Sequence, residues 1–132
     1  MKKILLIDDE LEFCIIMKEM IKQLDDYKVI IATDGIIGIK AAIIERPDLI
    51  FLDITMPEMN GFEVLKTLQK KRRTKNIPIV MLTGNESNEL IEYALSQYVE
   101  QYIVKPVEIE NLKQVIDRTL IFHKSSIPMS SI

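Results

Sequence analysis

The sequence has a single cysteine, Cys14, so one chain cannot form an internal disulfide bond. Proteins without disulfides are typical of reducing compartments, and we therefore expect a cytoplasmic location. The sequence also has a single histidine, His123, with no cysteine or acidic residue at the spacing of metal ligands. A zinc site of the usual cysteine and histidine type is therefore not expected.

Long hydrophobic runs and a strong net charge are also missing. No apolar run approaches the roughly 20 residues that a membrane-spanning helix needs. The first run, Ile4–Ile7, ends at the acidic pair Asp8-Asp9, which a secretion signal would not tolerate. The net charge is only −3, and we interpret the basic run from Lys70 to Lys75 as a solvated helix end. We expect no membrane association and no direct nucleic-acid binding.

The chain does contain apolar runs that alternate with stretches of helical periodicity, which predicts an α/β fold. We expect a doubly wound, five-stranded parallel sheet in the flavodoxin-like order 2-1-3-4-5, with helices on both faces. The predicted strands are Lys3–Ile7, Tyr27–Ala32, Leu49–Asp53, Ile77–Leu82 and Gln101–Val104. The predicted helices cover about 10–24, 35–45, 62–70, 86–97 and 108–123. The first and fifth helices should share one face. Residues 1–123 form the predicted domain, and residues 124–132 a flexible tail or the start of a linker.

Two of the predicted helices have details that a structure can check. The first helix should bury an apolar stripe whose members recur at intervals of three and four residues. These members are Phe13, Ile16, Met17, Met20, Ile21 and Leu24. The second helix contains Gly38 in its interior, where glycine costs about 1 kcal/mol relative to alanine.

Four of the five predicted strands lead into residues that carry chemistry. Asp8 and Asp9 follow the first strand, Asp53 ends the third, Thr83 follows the fourth and Lys105 follows the fifth. The carboxyl ends of parallel strands lie on one edge of a sheet, where ligands bind. Three carboxylates so close together need a cation or a raised pKa. Mg²⁺ suits them, because it takes oxygen ligands and keeps positions open for phosphate oxygens.

These residue types also fit phosphoryl transfer. The carboxylate of Asp53 can attack a phosphoryl donor and form an aspartyl phosphate. Lys105 can supply a positive charge, and the hydroxyl of Thr83 can donate to a phosphoryl oxygen. The sequence therefore predicts a magnesium-dependent phosphoacceptor site at this edge of the sheet.

Taken together, the motifs resemble the receiver domain of two-component response regulators from Lys3 to about His123. The matching residues are Asp8, Asp9, Asp53, the segment Ile54-Thr55-Met56-Pro57, Gly61, Thr83, Lys105 and Pro106. The resemblance implies that Asp53 accepts a phosphoryl group from a histidine kinase or phosphotransfer protein. It also implies that Asp9 binds Mg²⁺ directly, that Asp8 does so largely through water, and that the backbone carbonyl of Thr55 is a further ligand.

The same resemblance implies a conformational switch. Thr83 would swing toward the phosphoryl group, and Tyr102 would turn inward into the space that is released. Lys105 and Pro106 would form a cis-peptide turn that aims the lysine inward. The fourth helix, the fifth strand and the fifth helix would form the face for a target protein, for an output domain of the same protein or for a homodimer.

Three other functions stay open at this point. The first is a magnesium-dependent phosphatase or phosphotransferase with an aspartyl intermediate. Phosphatases of the haloacid-dehalogenase type carry a second acid two residues after the nucleophile, where this chain has Thr55. The second is a flavin-binding module, which would need a phosphate loop where this chain has Asp8-Asp9-Glu10. The third is a receiver-like domain that docks without phosphorylation. We expect no enzymatic activity beyond the domain's own phosphorylation and dephosphorylation.

Overall fold

The structure is a computed structural model, and it describes residues 1–84, 89, 92, 93, 96 and 101–126. Five parallel strands form one sheet in the order β2-β1-β3-β4-β5, which confirms the predicted order. The strands are β1 (Lys3–Ile7), β2 (Lys28–Ala32), β3 (Leu49–Asp53), β4 (Ile79–Thr83) and β5 (Gln101–Val104). Parallel neighbours need a crossover connection rather than a hairpin, and each segment between successive strands contains helical residues.

Two strand boundaries differ from the prediction. The second strand begins at Lys28 instead of Tyr27, and the fourth spans Ile79–Thr83 instead of Ile77–Leu82. Proline has no N–H group to donate to a strand ladder. Pro78 therefore only flanks β4, where its carbonyl accepts a hydrogen bond from the Ile50 N–H at 3.0 Å.

The helices are α1 (Leu11–Leu24), α2 (Gly35–Glu45), α3 (Gly61–Lys70) and a C-terminal helix (Ile109–Ser126). Side chains of Asp34 and Asn60 cap α2 and α3 by accepting from backbone N–H groups at 2.7 and 3.0 Å. Within the described residues, no helix is long and apolar enough to cross a membrane.

Two of the predicted helices differ from the structure or fall largely outside the described residues. The prediction of a helix over 86–97 lies largely outside the described residues, although Glu89, Glu92, Tyr93 and Ser96 are helical. The C-terminal helix runs to Ser126, past the predicted end near His123. Between the start of this helix and Ser126 the sequence contains no proline or glycine, and the next proline is Pro128. The residue before a proline disfavours helical backbone angles, so a helix usually ends before such a position. The start of the predicted tail therefore falls inside this helix.

The sheet is covered on both faces. On one face α1 and the C-terminal helix pack on a cluster of apolar side chains that includes Leu6, Phe51 and Val80. On the other face α2 and α3 pack on a second cluster that includes Leu5, Ile50 and Met81. The four helices with described bounds thus lie on the predicted faces of the sheet, with the first and the C-terminal helix on the same face. Because β1 and β3 are central and buried on both faces, their ends form a rigid base for the residues that follow them.

The buried stripe of α1 contains Cys14 in place of one predicted member, Ile16. Ile16 is 58% exposed, whereas Cys14 is fully buried together with Met17 and Ile21. The helix contacts the sheet along the line of residues 14, 17 and 21, and Ile16 lies about 100° around the helix from Met17. Only Ile16 was predicted wrongly, since the other members of the predicted stripe are buried or pack against the core cluster on this face.

Gly38 is explained by the close packing of α2 on β1. A Cβ atom added at Gly38 would lie 2.7 Å from Cδ1 and 2.8 Å from Cγ2 of the buried Ile7. A larger residue would push α2 away from the sheet. The glycine lowers local helix stability, and in return it lets α2 lie against the last residue of β1, directly before Asp8.

Candidate functional site

The carboxyl ends of β1, β3, β4 and β5 lie side by side at one edge of the sheet. In the strand register Ile7 pairs with Leu52, Asp53 pairs with Leu82, and Thr83 pairs with Val104. The residues predicted from the strand ends therefore meet at this edge because of the strand order. They are Asp8, Asp9, Asp53, Thr83 and Lys105.

Three carboxylates form the centre of the site. One ligand oxygen from each of Asp8, Asp9 and Asp53 lies within 4.8 Å of the other two. Asp8 is fully buried and Asp53 is 4% exposed, whereas Asp9 is exposed to solvent. Two carboxylates of the cluster are therefore buried in the protein interior, and the third lies at the protein surface.

Burial disfavours the ionised forms of Asp8 and Asp53. Desolvation, together with the nearby charge of Asp8, raises the pKa of Asp53 to about 7. Desolvation also raises the pKa of Asp8, although hydrogen bonds from Lys105 and from the backbone of Glu10 oppose the increase. A divalent cation would stabilise the charged forms of both groups, so the cluster favours cation binding.

Lys105 reaches into this cluster from the end of β5. Its Nζ atom lies 2.8 Å from Oδ2 of Asp8 and 3.8 Å from Oδ1 of Asp53. Burial disfavours the ammonium charge, but the hydrogen bond to Asp8 and the charge of Asp53 outweigh burial and raise the lysine pKa. The Lys105–Pro106 peptide bond is cis.

Two further residues contact Lys105 that the sequence reasoning did not assign to the site. Oε1 of Glu10 lies 3.4 Å from Nζ of Lys105, and the ring centroid of Phe13 lies 4.3 Å from the same atom. Both residues belong to the start of α1, directly after the acidic pair. Acidic residues are favourable at the start of any helix, and Phe13 fits the predicted apolar stripe of the first helix, so the sequence alone contained no specific signal for a role in the site.

Thr83 and Tyr102 lie on neighbouring strands. Thr83 is fully buried, and its hydroxyl has no hydrogen-bond partner in the part of the chain that the structure describes. The backbone N–H of Lys105 donates to the Thr83 carbonyl at 2.7 Å, which joins the two strand ends. Tyr102 is 36% exposed, and strand alternation puts it on the opposite face of β5 from the buried Ile103.

The loop after Asp53 is held close to the site. The backbone N–H of Thr55 faces Oδ1 of Asp53 at 3.4 Å, and the N–H of Gly61 donates to the Ile54 carbonyl at 2.8 Å. A Cβ atom added at Gly61 would overlap the carbonyl oxygen of Asp53 and lie 2.8 Å from Cα of Ile54. Only glycine allows the start of α3 to approach the backbone of Asp53 so closely.

The site combines three carboxylates, the partly buried ammonium group of Lys105 and the Thr83 hydroxyl, which has no hydrogen-bond partner among the described residues. Three carboxylates within 4.8 Å of one another fit a hard divalent ion such as Mg²⁺. Lys105 and Thr83 offer donors on the same edge for the oxygens of an anion. This arrangement suits attack by a carboxylate on a phosphoryl group.

Comparison with known proteins agrees with this chemistry. The family model described as "Response regulator receiver domain" matches residues 4–117. Protein PilH of Pseudomonas aeruginosa is 30% identical over 120 residues, which cover 91% of this chain and 98% of PilH. The alkaline phosphatase synthesis transcriptional regulatory protein PhoP of Bacillus subtilis is 35% identical over 105 residues. This match covers 80% of the chain but only 42% of PhoP.

Solved structures of similar proteins superpose closely on this chain. The chemotaxis protein CheY4 of Vibrio cholerae superposes with a TM-score of 0.84 at 31% identity, covering 91% of this chain and 99% of CheY4. The receiver domain of a sensor histidine kinase from Pseudomonas aeruginosa superposes with a TM-score of 0.82 at 25% identity. It covers 90% of this chain and 97% of that domain, and its structure has a magnesium ion coordinated in the active site cleft.

Proposed function

Because the chain belongs to the response regulator receiver domain family of two-component signalling, we propose that it is a phosphorylation-dependent switch with Asp53 as phosphoacceptor. The observation that carries this proposal is the cluster of Asp8, Asp9 and Asp53 within 4.8 Å, with Lys105 reaching into it. A cytoplasmic location fits this proposal.

Asp8, Asp9, Asp53 and the backbone carbonyl of Thr55 would hold Mg²⁺. Oxygen ligands of this kind and number suit the ion, which retains several waters. Bound Mg²⁺ supplies positive charge for the phosphoryl oxygens. The burial of Asp8 and Asp53 supports this assignment, because burial raises the pKa of both groups when no cation is near.

A carboxylate oxygen of Asp53 attacks the phosphorus atom of a phosphohistidine on a histidine kinase or phosphotransfer protein. A bond forms between this oxygen and phosphorus, and the bond from phosphorus to the histidine nitrogen breaks. The electron pair of the broken bond stays with the imidazole, which takes up a proton. Lys105 is close enough to shift toward the product, since its Nζ atom is already 3.8 Å from Oδ1 of Asp53.

The phosphorylated site would favour a second arrangement of β4 and β5. The buried Thr83 hydroxyl, which has no partner among the described residues, would donate to a phosphoryl oxygen, and Tyr102 would move into the space released. Such a ligand shifts the population toward the arrangement that it binds better. The predicted fourth helix, β5 and the C-terminal helix would then control a target protein, an output domain or a homodimer.

The alternative functions receive less support. A haloacid-dehalogenase-type phosphatase needs a general acid two residues after the nucleophile, and Thr55 is not an acid. A flavin phosphate would meet Asp8, Asp9 and Glu10 after β1, and these carboxylates would repel it. Docking without phosphorylation is the alternative that experiment has to separate from the proposal. We assign no enzymatic activity beyond the domain's own phosphorylation and dephosphorylation.

The proposal is tested by intact-protein mass after incubation with acetyl phosphate, with and without Mg²⁺. We expect a gain of one phosphoryl group that depends on Mg²⁺. If the small donor does not label the protein, a panel of phosphorylated histidine kinases is tried next. No gain from acetyl phosphate or from any of the kinases would contradict the proposal and favour docking without phosphorylation.

The Asp9→Asn variant should bind Mg²⁺ much more weakly than the wild-type protein. Loss of a direct carboxylate ligand should lower the affinity at least about tenfold, since even groups that only support metal ligands often contribute that much. Removing one of three crowded carboxylates should leave the metal-free protein at least as stable as before. Calorimetric titration with MgCl₂ measures the affinity, and thermal unfolding in EDTA measures the stability.

Glu12→Gln is the matched control for this variant, because Glu12 is an exposed acid in the first turn of α1 and is not in the cluster. It removes the same charge and should leave the Mg²⁺ affinity close to that of the wild type. Equal affinities for Asp9→Asn and wild type would refute the assignment of Asp9 as a ligand.

A further inference from the structure

The ammonium group of Lys105 contacts an aromatic ring, and the proposed phosphorylation chemistry does not require this contact. Its Nζ atom lies 4.3 Å from the centroid of the Phe13 ring. The same atom also lies 2.8 Å from Oδ2 of Asp8 and 3.4 Å from Oε1 of Glu10. The lysine head group therefore contacts an aromatic ring and two carboxylates, all from the segment between the end of β1 and the first turn of α1.

The surroundings make this aromatic contact significant. The side chain of Lys105 is only 17% exposed, and Phe13 packs at the margin of the core cluster beneath α1. An ammonium over an aromatic face is attracted by the ring quadrupole, more strongly when water is excluded. The ring is anchored by the core, so it presents a fixed surface to a flexible lysine.

We propose that Phe13 is a positioning residue that holds Lys105 against Asp8 in the metal-free protein, so that Mg²⁺ must compete with this lysine for the acidic cluster. The inference rests on the proposed function only in taking Asp8, Asp9 and Asp53 as the metal site. It adds a role for a residue of α1 that is neither a metal ligand nor the phosphoacceptor.

The competition follows from the position of Asp8. The carboxylate of Asp8 is fully buried, and its Oδ2 atom already accepts a hydrogen bond from Lys105. A cation that enters the cluster has to weaken this ion pair, and any contact that favours the pair lowers the apparent affinity for the cation. A cation–π contact of ordinary strength corresponds to roughly a twofold to tenfold change in that affinity.

The test compares Phe13→Leu, which keeps apolar bulk without a ring, with Phe13→Tyr, which keeps the ring. Two measurements are made without any phosphoryl donor. Nuclear magnetic resonance of the metal-free protein reports whether the side-chain protons of Lys105 are shifted upfield by the ring. Calorimetric titration with MgCl₂ reports the metal affinity.

We expect an upfield shift in the wild type and in Phe13→Tyr, and its loss in Phe13→Leu. Phe13→Leu should bind Mg²⁺ roughly twofold to tenfold more tightly than the wild type, and Phe13→Tyr should bind it as the wild type does. Phe62→Leu is the matched control, since the Phe62 ring packs against Tyr93 at 4.7 Å between centroids. That variant should change neither measurement.

Unshifted Lys105 resonances in the wild type would overturn the proposal, and this measurement does not require any variant to fold. An unchanged Mg²⁺ affinity in folded Phe13→Leu, or a Phe13→Tyr protein that behaves like Phe13→Leu, would also overturn it. A wild-type protein that takes up no phosphoryl group would contradict the proposed function while leaving these two measurements valid. The two failures are therefore distinguishable.

Discussion

The Asp53→Asn protein is expected to gain no phosphoryl group under conditions in which the wild-type protein gains one. The carboxamide of asparagine has no anionic oxygen that can attack phosphorus, so the loss should be complete within the detection limit of intact-protein mass. The substitution conserves size, and Asp53 ends a fully buried strand. The carboxamide oxygen can still face the backbone N–H of Thr55, which lies 3.4 Å from Oδ1 of Asp53, so the fold should be preserved.

The matched control for this variant is Asp34→Asn. Asp34 caps α2 at the amino end, and asparagine caps a helix about as well as aspartate does. This variant should be phosphorylated like the wild type. Equal phosphorylation of Asp53→Asn and wild type would show that another residue accepts the phosphoryl group, and peptide mass mapping would then locate it.

A second large effect is expected on the stability of the metal-free protein. The pKa of Asp53 is raised from 3.8 to about 7 by burial and by the charge of Asp8. Between these two pH values the unfolded chain has lost the Asp53 proton, whereas the folded protein still binds it. The contribution of Asp53 to the free energy of unfolding therefore falls as the pH rises from about 4 to 7, and it is constant above that range. The loss from Asp53 alone is about 4 kcal/mol, since one pKa unit corresponds to about 1.4 kcal/mol.

Denaturant unfolding in EDTA across this pH range measures the effect in the wild type and in Asp53→Asn. The difference between the two curves isolates Asp53 from the other acidic groups. The neutral carboxamide has no proton to lose, so Asp53→Asn should be the more stable protein above pH 7, by about 4 kcal/mol. Parallel curves would contradict the raised pKa of Asp53.

Two neighbouring groups affect this measurement in known directions. The raised pKa of Asp8 also makes stability fall with rising pH, and it does so in both proteins. The raised pKa of Lys105 gives stability that is lost only above its ordinary pKa of 10.5, outside the measured range. Added Mg²⁺ should restore stability to the wild type at neutral pH, because a ligand that binds only the folded state stabilises it.

The sequence alone predicted the fold class, the strand order and the residues at the strand ends that meet at one edge of the sheet. Alternation of apolar runs with helical periodicity predicts a parallel sheet, and a parallel sheet puts every strand end on one edge. Asp8, Asp53 and Thr83 could therefore be grouped without coordinates. Each had only to follow or end a predicted strand, and an error of one or two residues in a strand boundary, as in β4, did not change the grouping.

The tertiary structure alone decided how the side chains meet. The rotation of α1 on the sheet buried Cys14 instead of Ile16, and periodicity cannot define that rotation to within one residue. Lys105 contacts Asp8 more closely than Asp53, at 2.8 Å against 3.8 Å, and it lies over Phe13. These contacts join residues that are far apart in the chain, so they depend on the packed positions of helix and strand, which no local pattern in the sequence encodes.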